Sequence, residues 1–150
     1  MGRISYSRAE RLSVMEQRLL DTSLVALRPK APIFVPAETR LADAVARLCA
    51  NHIGCVLVGD DGDVRGIFSE RDALLRTAHR YEEVARAPVS EFMTPRPEML
   101  EVDTPIAFAL HPMGTRDFRP LPLTRGGLVV GLVSLRDVIA FLARWHPDLL

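Results

Sequence analysis

Apolar and polar positions along this chain follow one pattern twice over. Leu41, Val45 and Leu48 recur at helical spacing, and so do Ile106, Leu110 and Met113. Ile33-Phe34-Val35 reads as a short strand before the first of these helices, and Thr39 is placed to cap it. Thr104-Pro105 opens the second, with proline at the first helical position. Pro112 falls inside that helix, removes a backbone hydrogen bond, and is expected to kink or end it. Val56-Leu57-Val58, the turn-forming residues Gly59 to Asp63, and Val64 to Phe68 predict a buried hairpin. Ser69 and Ser134 each open a final helix, with Leu74 and Leu75, or Ile139, Phe141 and Leu142, as candidate core residues.

These stretches are copies of one another. Gly66-Ile67-Phe68-Ser69-Glu70-Arg71-Asp72 returns 65 residues later as Gly131-Leu132-Val133-Ser134-Leu135-Arg136-Asp137, and Pro32, Thr39, Ala42, Ala44, Gly62 and Val64 repeat at the same offset. The copies span 22–86 and 87–150, joined across Tyr81 to Pro88, and each reads strand, helix, strand, strand, helix. A half this small buries too little surface to be stable alone, which predicts a single pseudo-symmetric α+β domain. Residues 1–21 lie outside the repeat. There Ser7-Arg8-Ala9-Glu10 is a capping-box pattern, and Leu12, Met15 and Leu19 recur at helical spacing, predicting an additional amphipathic helix.

Charge narrows the partners. Lys plus Arg and Asp plus Glu both number 19 in 150 residues, so nucleic acid and anionic membrane are not expected, and any anion site must be local. The longest strongly apolar run, Gly127 to Val133, is too short to span a bilayer. Charges at the N-terminus occupy the place of a signal peptide's apolar core, and Tyr6 breaks a myristoylation pattern, so a cytoplasmic chain is expected. Cys49 and Cys55 match no redox or zinc spacing and read as small buried hydrophobes. The four histidines have no metal-ligand spacing, and no nucleophile arrangement stands out.

Ser-x-Arg-Asp at the start of both final helices admits two readings. In one it is a cap: the serine serves a backbone N–H and the aspartate suits the positive end of the helix dipole. Arg71 and Arg136 fit that reading poorly, because a cation in the first turn opposes the dipole by roughly 0.3–1 kcal/mol unless an anion answers it. A phosphate would answer it, since helix N-termini attract phosphate and arginine offers it a bidentate donor.

The glycine, two apolar residues and Ser-x-x-Asp, found twice in register, resemble a pair of cystathionine-β-synthase (CBS) domains forming a Bateman module. Val89-Ser90-Glu91-Phe92-Met93-Thr94-Pro95 is similar to the family's opening segment, and Phe118-Arg119-Pro120-Leu121-Pro122-Leu123 to its strand before the hairpin. The resemblance implies a pseudo-twofold pair with two clefts for adenosine ligands, AMP, ADP or ATP foremost and S-adenosylmethionine or NADH also open. It implies a regulatory sensor with no cofactor and no catalysis of its own, acting through an unidentified target protein or through its own homodimer. Asp72 and Asp137 would accept from ribose hydroxyls. Ser69, Arg71, Ser134, Arg136 and Arg119 would lie near phosphate, with Gly54 replacing Arg119 in the first copy. Ile53, Val56, Phe118 and Leu121 would flank adenine. Leu27 to Pro32 lacks the Met-Thr-Pro of the second copy. The competing reading is therefore a non-sensing dimerisation scaffold with empty clefts.

Overall fold

The computed structural model describes residues 7–115 and 120–145. Helix α1 (Arg8–Asp21) precedes the first copy, whose elements are β1 (Phe34–Val35), α2 (Leu41–Asn51), β2 (Cys55–Asp60), β3 (Asp63–Ser69) and α3 (Glu70–Asp72). The last of these runs on through a π turn (Ala73–Thr77) and a 3₁₀ turn (Ala78–Arg80) into α4 (Tyr81–Val84). The second copy contributes β4 (Thr94–Pro95), β5 (Leu100–Glu101), α5 (Ile106–Thr115), β6 (Leu121–Arg125), β7 (Leu128–Val133) and α6 (Leu135–Trp145). This is the expected α+β duplication. In each copy a short strand pairs in parallel with the first hairpin strand, Phe34 with Leu57 and Leu100 with Leu123, and the hairpin is antiparallel.

The copies exchange their lead-in segments. Leu24 N–H donates to the Thr104 carbonyl at 2.9 Å and Ile106 N–H to Thr22 at 2.8 Å; at the 65-residue offset Val89 N–H donates to Thr39 at 2.7 Å and Leu41 N–H to Ala87 at 2.8 Å. The pseudo-twofold thus extends to individual hydrogen bonds, and the hydrophobic cores follow it. Leu24 and Leu27 are buried among Ile106, Met113, Leu123, Val138 and Phe141 of the second copy, whereas Val84, Val89 and Phe92 complete the core of the first around Leu41, Leu48, Val58 and Phe68. A third cluster, Cys55, Leu57, Ile67 and Val129, joins the two. Neither core closes without chain from beyond its own hairpin, so the halves form one domain.

The motif glycines mark the crossing points. β4 pairs antiparallel with β3, so the second copy's lead-in joins the first copy's sheet, and Lys30 bridges in the mirrored place to Leu132 of β7. A Cβ on Gly66 would lie 2.3 Å from the sulfur of Met93, and one on Gly131 2.4 Å from Pro29 Cβ. Only glycine lets the exchanged segments pass this close.

Several sequence expectations require correction. Thr39 and Thr104 do not cap helices: α2 starts at Leu41 and α5 at Ile106, because both threonine carbonyls are taken up by the opposite copy. Helix α5 is not ended by Pro112 but runs to Thr115. Proline has no N–H to donate to the Phe108 carbonyl one turn earlier, yet the helix continues past it. Leu74, Leu75 and Ile139 are not core, at 68%, 65% and 57% exposure; the π turn instead directs Ala73 and Thr77 inward, while Phe141 is buried as expected. Cys49 is exposed and Cys55 buried. Helix α1 forms, lies against α5 and packs Leu19 on the second core. No helix among the described residues is long and apolar enough to cross a membrane.

Candidate functional site

Helix α2 ends at His52, whose left-handed backbone (φ 49°) lets its N–H bond the Cys49 and Leu48 carbonyls and turns the chain sharply into β2. That turn brings His52-Ile53-Gly54-Cys55 beside the first turn of α3 and opposite the first turn of α6. Between them lies a cavity of about 510 Å³. Its walls are Lys30, Ala31 and Ile33 from the first lead-in, His52 to Cys55, Ser69 to Arg71, Pro120, Leu132 to Ser134, Arg136 and Asp137. The Ser-x-Arg sequences of both copies thus reach one space, although they lie 65 residues apart in the chain.

The two serine-aspartate pairs at its edges differ. In the first copy the box is complete: Asp72 N–H donates to Ser69 Oγ at 3.1 Å, while Ser69 N–H and Oγ–H both donate to Asp72 Oδ2 at 3.0 Å. The capping reading is correct here. In the second copy Ser134 N–H and Oγ–H donate to Asp137 Oδ2 at 2.7 and 3.1 Å, whereas Asp137 N–H turns to the Ser134 backbone carbonyl. Both hydrogen bonds accepted by the half-buried Asp137 carboxylate among the described residues fall on Oδ2, and the residue lines the cavity.

Charge in the cavity favours an anion. Among the described residues that line it, Lys30, Arg71 and Arg136 outnumber Glu70 and Asp137, and Ser69 and Ser134 stand at the starts of their helices. Burial, together with the charges of Asp72 and Glu70, pushes the Cys55 thiol up to about 12. It is therefore a protonated wall of the cavity at neutral pH and not a nucleophile. No cluster of three or more His, Cys, Asp or Glu side chains among the described residues could hold a metal ion.

Of the residues singled out by sequence, the cavity gathers Ser69, Arg71, Ser134, Arg136, Asp137 and Ile53. Asp72 is not on its surface; with 1% of its side chain exposed, it lies under the cap and beside Arg76. Val56 and Leu121 are core, their side chains consumed by packing against α2 and the second core. Phe118 and Arg119 lie outside the described residues. Sequence reasoning missed Lys30 as a cavity cation. Its signal was there: the 65-residue offset pairs it with Pro95 in the Met-Thr-Pro segment, a position the exchange carries to the opposite sheet.

This geometry, a duplicated hairpin-and-helix unit with both Ser-x-Arg-Asp turns beside a shared cleft, defines a tandem-repeat α+β module. The CBS domain family matches residues 27–78 and 89–144, and the chain belongs to that family as a tandem pair, a Bateman module. It is 30% identical over 129 residues to the CBS domain-containing protein CBSCBSPB1 of Arabidopsis thaliana, covering 83% of this chain and 24% of that protein. The chain spans about a quarter of the length of the curated relatives it matches first. Among solved structures, the CBS-domain protein ATU1752 of Agrobacterium tumefaciens superposes with a TM-score of 0.72 at 27% identity, over 80% of this chain and 98% of that one. CBSX2, solved in complex with AMP, shares the fold at a TM-score of 0.67 and 20% identity, over 82% of this chain and 97% of its own.

Proposed function

We propose that this chain is a regulatory ligand-binding module whose Asp137 cleft takes an adenosine ligand carrying phosphate: AMP, ADP or ATP. One observation carries the reading: first turns from both copies, each with a serine and an arginine, line one cavity in which cations outnumber carboxylates among the described residues. In this reading Asp137 Oδ1 accepts from the ribose hydroxyls, while Arg71, Arg136 and Lys30, with Ser69 and Ser134, hold phosphate. Ile53 and Ile33 offer the base an apolar wall. The complex of CBSX2 with AMP supports the ligand class. Regulation is by occupancy, passed to a partner or through the module's own oligomer, with no bond made or broken in the ligand.

The test is a melting series with AMP, ADP, ATP, S-adenosylmethionine and NADH, and GTP as control. A ligand that binds only the folded chain stabilises it by about 2.7 kcal/mol at a hundredfold excess over its dissociation constant, so an adenine nucleotide should raise the melt and GTP should do less. No shift with any of them at millimolar concentration would leave the scaffold reading in its place.

The module is further proposed to act as a homodimer. Leu74 and Ile139 occupy equivalent positions in the two copies, and with Leu75 they form an exposed apolar set on helices related by the pseudo-twofold. Such a surface is suited to self-association. Light scattering should report a dimer, and the pair Leu74→Glu and Leu75→Glu should report a monomer with an intact fold; a wild-type monomer would dismiss the dimer.

A further inference from the structure

We infer that each chain binds one nucleotide rather than two, because Arg76 acts as a built-in ligand for Asp72. The inference rests on the nucleotide reading above and concerns what the first copy's aspartate can still accept. A carboxylate has two oxygens and about four acceptor positions. On Asp72, Oδ2 receives the Ser69 N–H and Oγ–H, and Oδ1 faces Arg76 Nε and the Thr94 hydroxyl, each at 3.5 Å. Arg76 is itself held in place: its Nη1 donates to the Met93 carbonyl at 3.0 Å and lies 3.4 Å from that of Phe92. Guanidinium and carboxylate sit four residues apart, with Asp72 just before the π turn from Ala73 to Thr77 and Arg76 within it.

Among the described residues the second copy has no such device. At the 65-residue offset the position of Arg76 is Phe141, an apolar side chain buried in the second core. Asp137 thus lines the cavity with both of its hydrogen bonds among the described residues on Oδ2, while Asp72 has both oxygens engaged. A ribose diol arriving at Asp72 would have to displace a tethered cation. Tethering gives Arg76 a high effective concentration, which a dissolved ligand must outcompete. Sequence alone hid this asymmetry, since both aspartates sit in the same motif.

Titration calorimetry of the full chain with AMP, and separately with ATP, decides the count. One nucleotide per chain is expected, and two sites of similar affinity would overturn the inference while leaving the nucleotide reading intact. No binding of either probe would instead remove the reading on which the inference stands. Arg76→Met keeps the apolar stem and removes the guanidinium, so it should raise the count toward two, and adding Asp72→Asn should return it to one; a count fixed at one in folded Arg76→Met overturns the role of Arg76. A measurement on the wild type needs no variant: the Arg76 Nε resonance should stay in place at AMP saturation while those of Arg71 and Arg136 move. A shift of Arg76 as large as theirs would overturn the inference.

Discussion

Asp137→Asn is expected to weaken AMP binding about ten- to a hundredfold, the equivalent of roughly 1.5–3 kcal/mol from charge-assisted hydrogen bonds to ribose. Stability should change much less. The amide keeps an oxygen to accept from Ser134, which now holds the carboxylate through its N–H and hydroxyl. What is lost to folding is the charge at the start of α6, about 0.3–1 kcal/mol. A cap and a ligand contact are separated by that contrast. Calorimetry and a melt on the same preparation read both quantities, and a lowered melt with unchanged affinity would mean that Asp137 is a cap and nothing more.

Leu24→Ala should cost about 2–5 kcal/mol, the range for deleting a fully buried leucine side chain. The site of the damage is as informative as its size. Leu24 belongs to the first copy in sequence yet packs among Ile106, Met113, Val138 and Phe141. Hydrogen exchange should therefore accelerate most in α5, α6 and the β6–β7 hairpin, and least in α2. If protection were lost first in α2 and β2, the exchange of lead-in segments would be wrong. Because the third cluster links the halves through Leu57, Ile67 and Val129, unfolding should remain a single transition.

Much of this was legible in the chain because duplication samples one design twice. The offset of 65 residues located β2, β3, β6, β7 and the helices that follow them, and it located the Ser-x-Arg-Asp turns that line the cleft. What periodicity could not supply was partnership. A repeat states which residues are equivalent, not which copy they contact, so Leu24 and Leu27 were read with the first copy although they close the second core. Tertiary hydrogen bonding likewise prevailed over local capping at Thr39 and Thr104, whose carbonyls serve Val89 and Leu24. Leu74 and Leu75 misled because the α-helical period used to place them does not hold through a π turn. The difference between Asp72 and Asp137 was invisible for a related reason: it is set by the residue four positions beyond each, Arg76 or Phe141, outside the motif itself.

In the proposed complex an adenine nucleotide lies between the first turns of α3 and α6, touching both copies at once. Backbone amide spectra of the 15N-labelled chain, recorded during titration with AMP, test it most directly. The largest shifts are expected to fall together on 30–33, 52–55, 69–71 and 132–137, segments remote in sequence that share the cavity wall. Saturation of the spectrum with no change in those four segments, or with changes confined to the outer faces of α2 and α5, would contradict it.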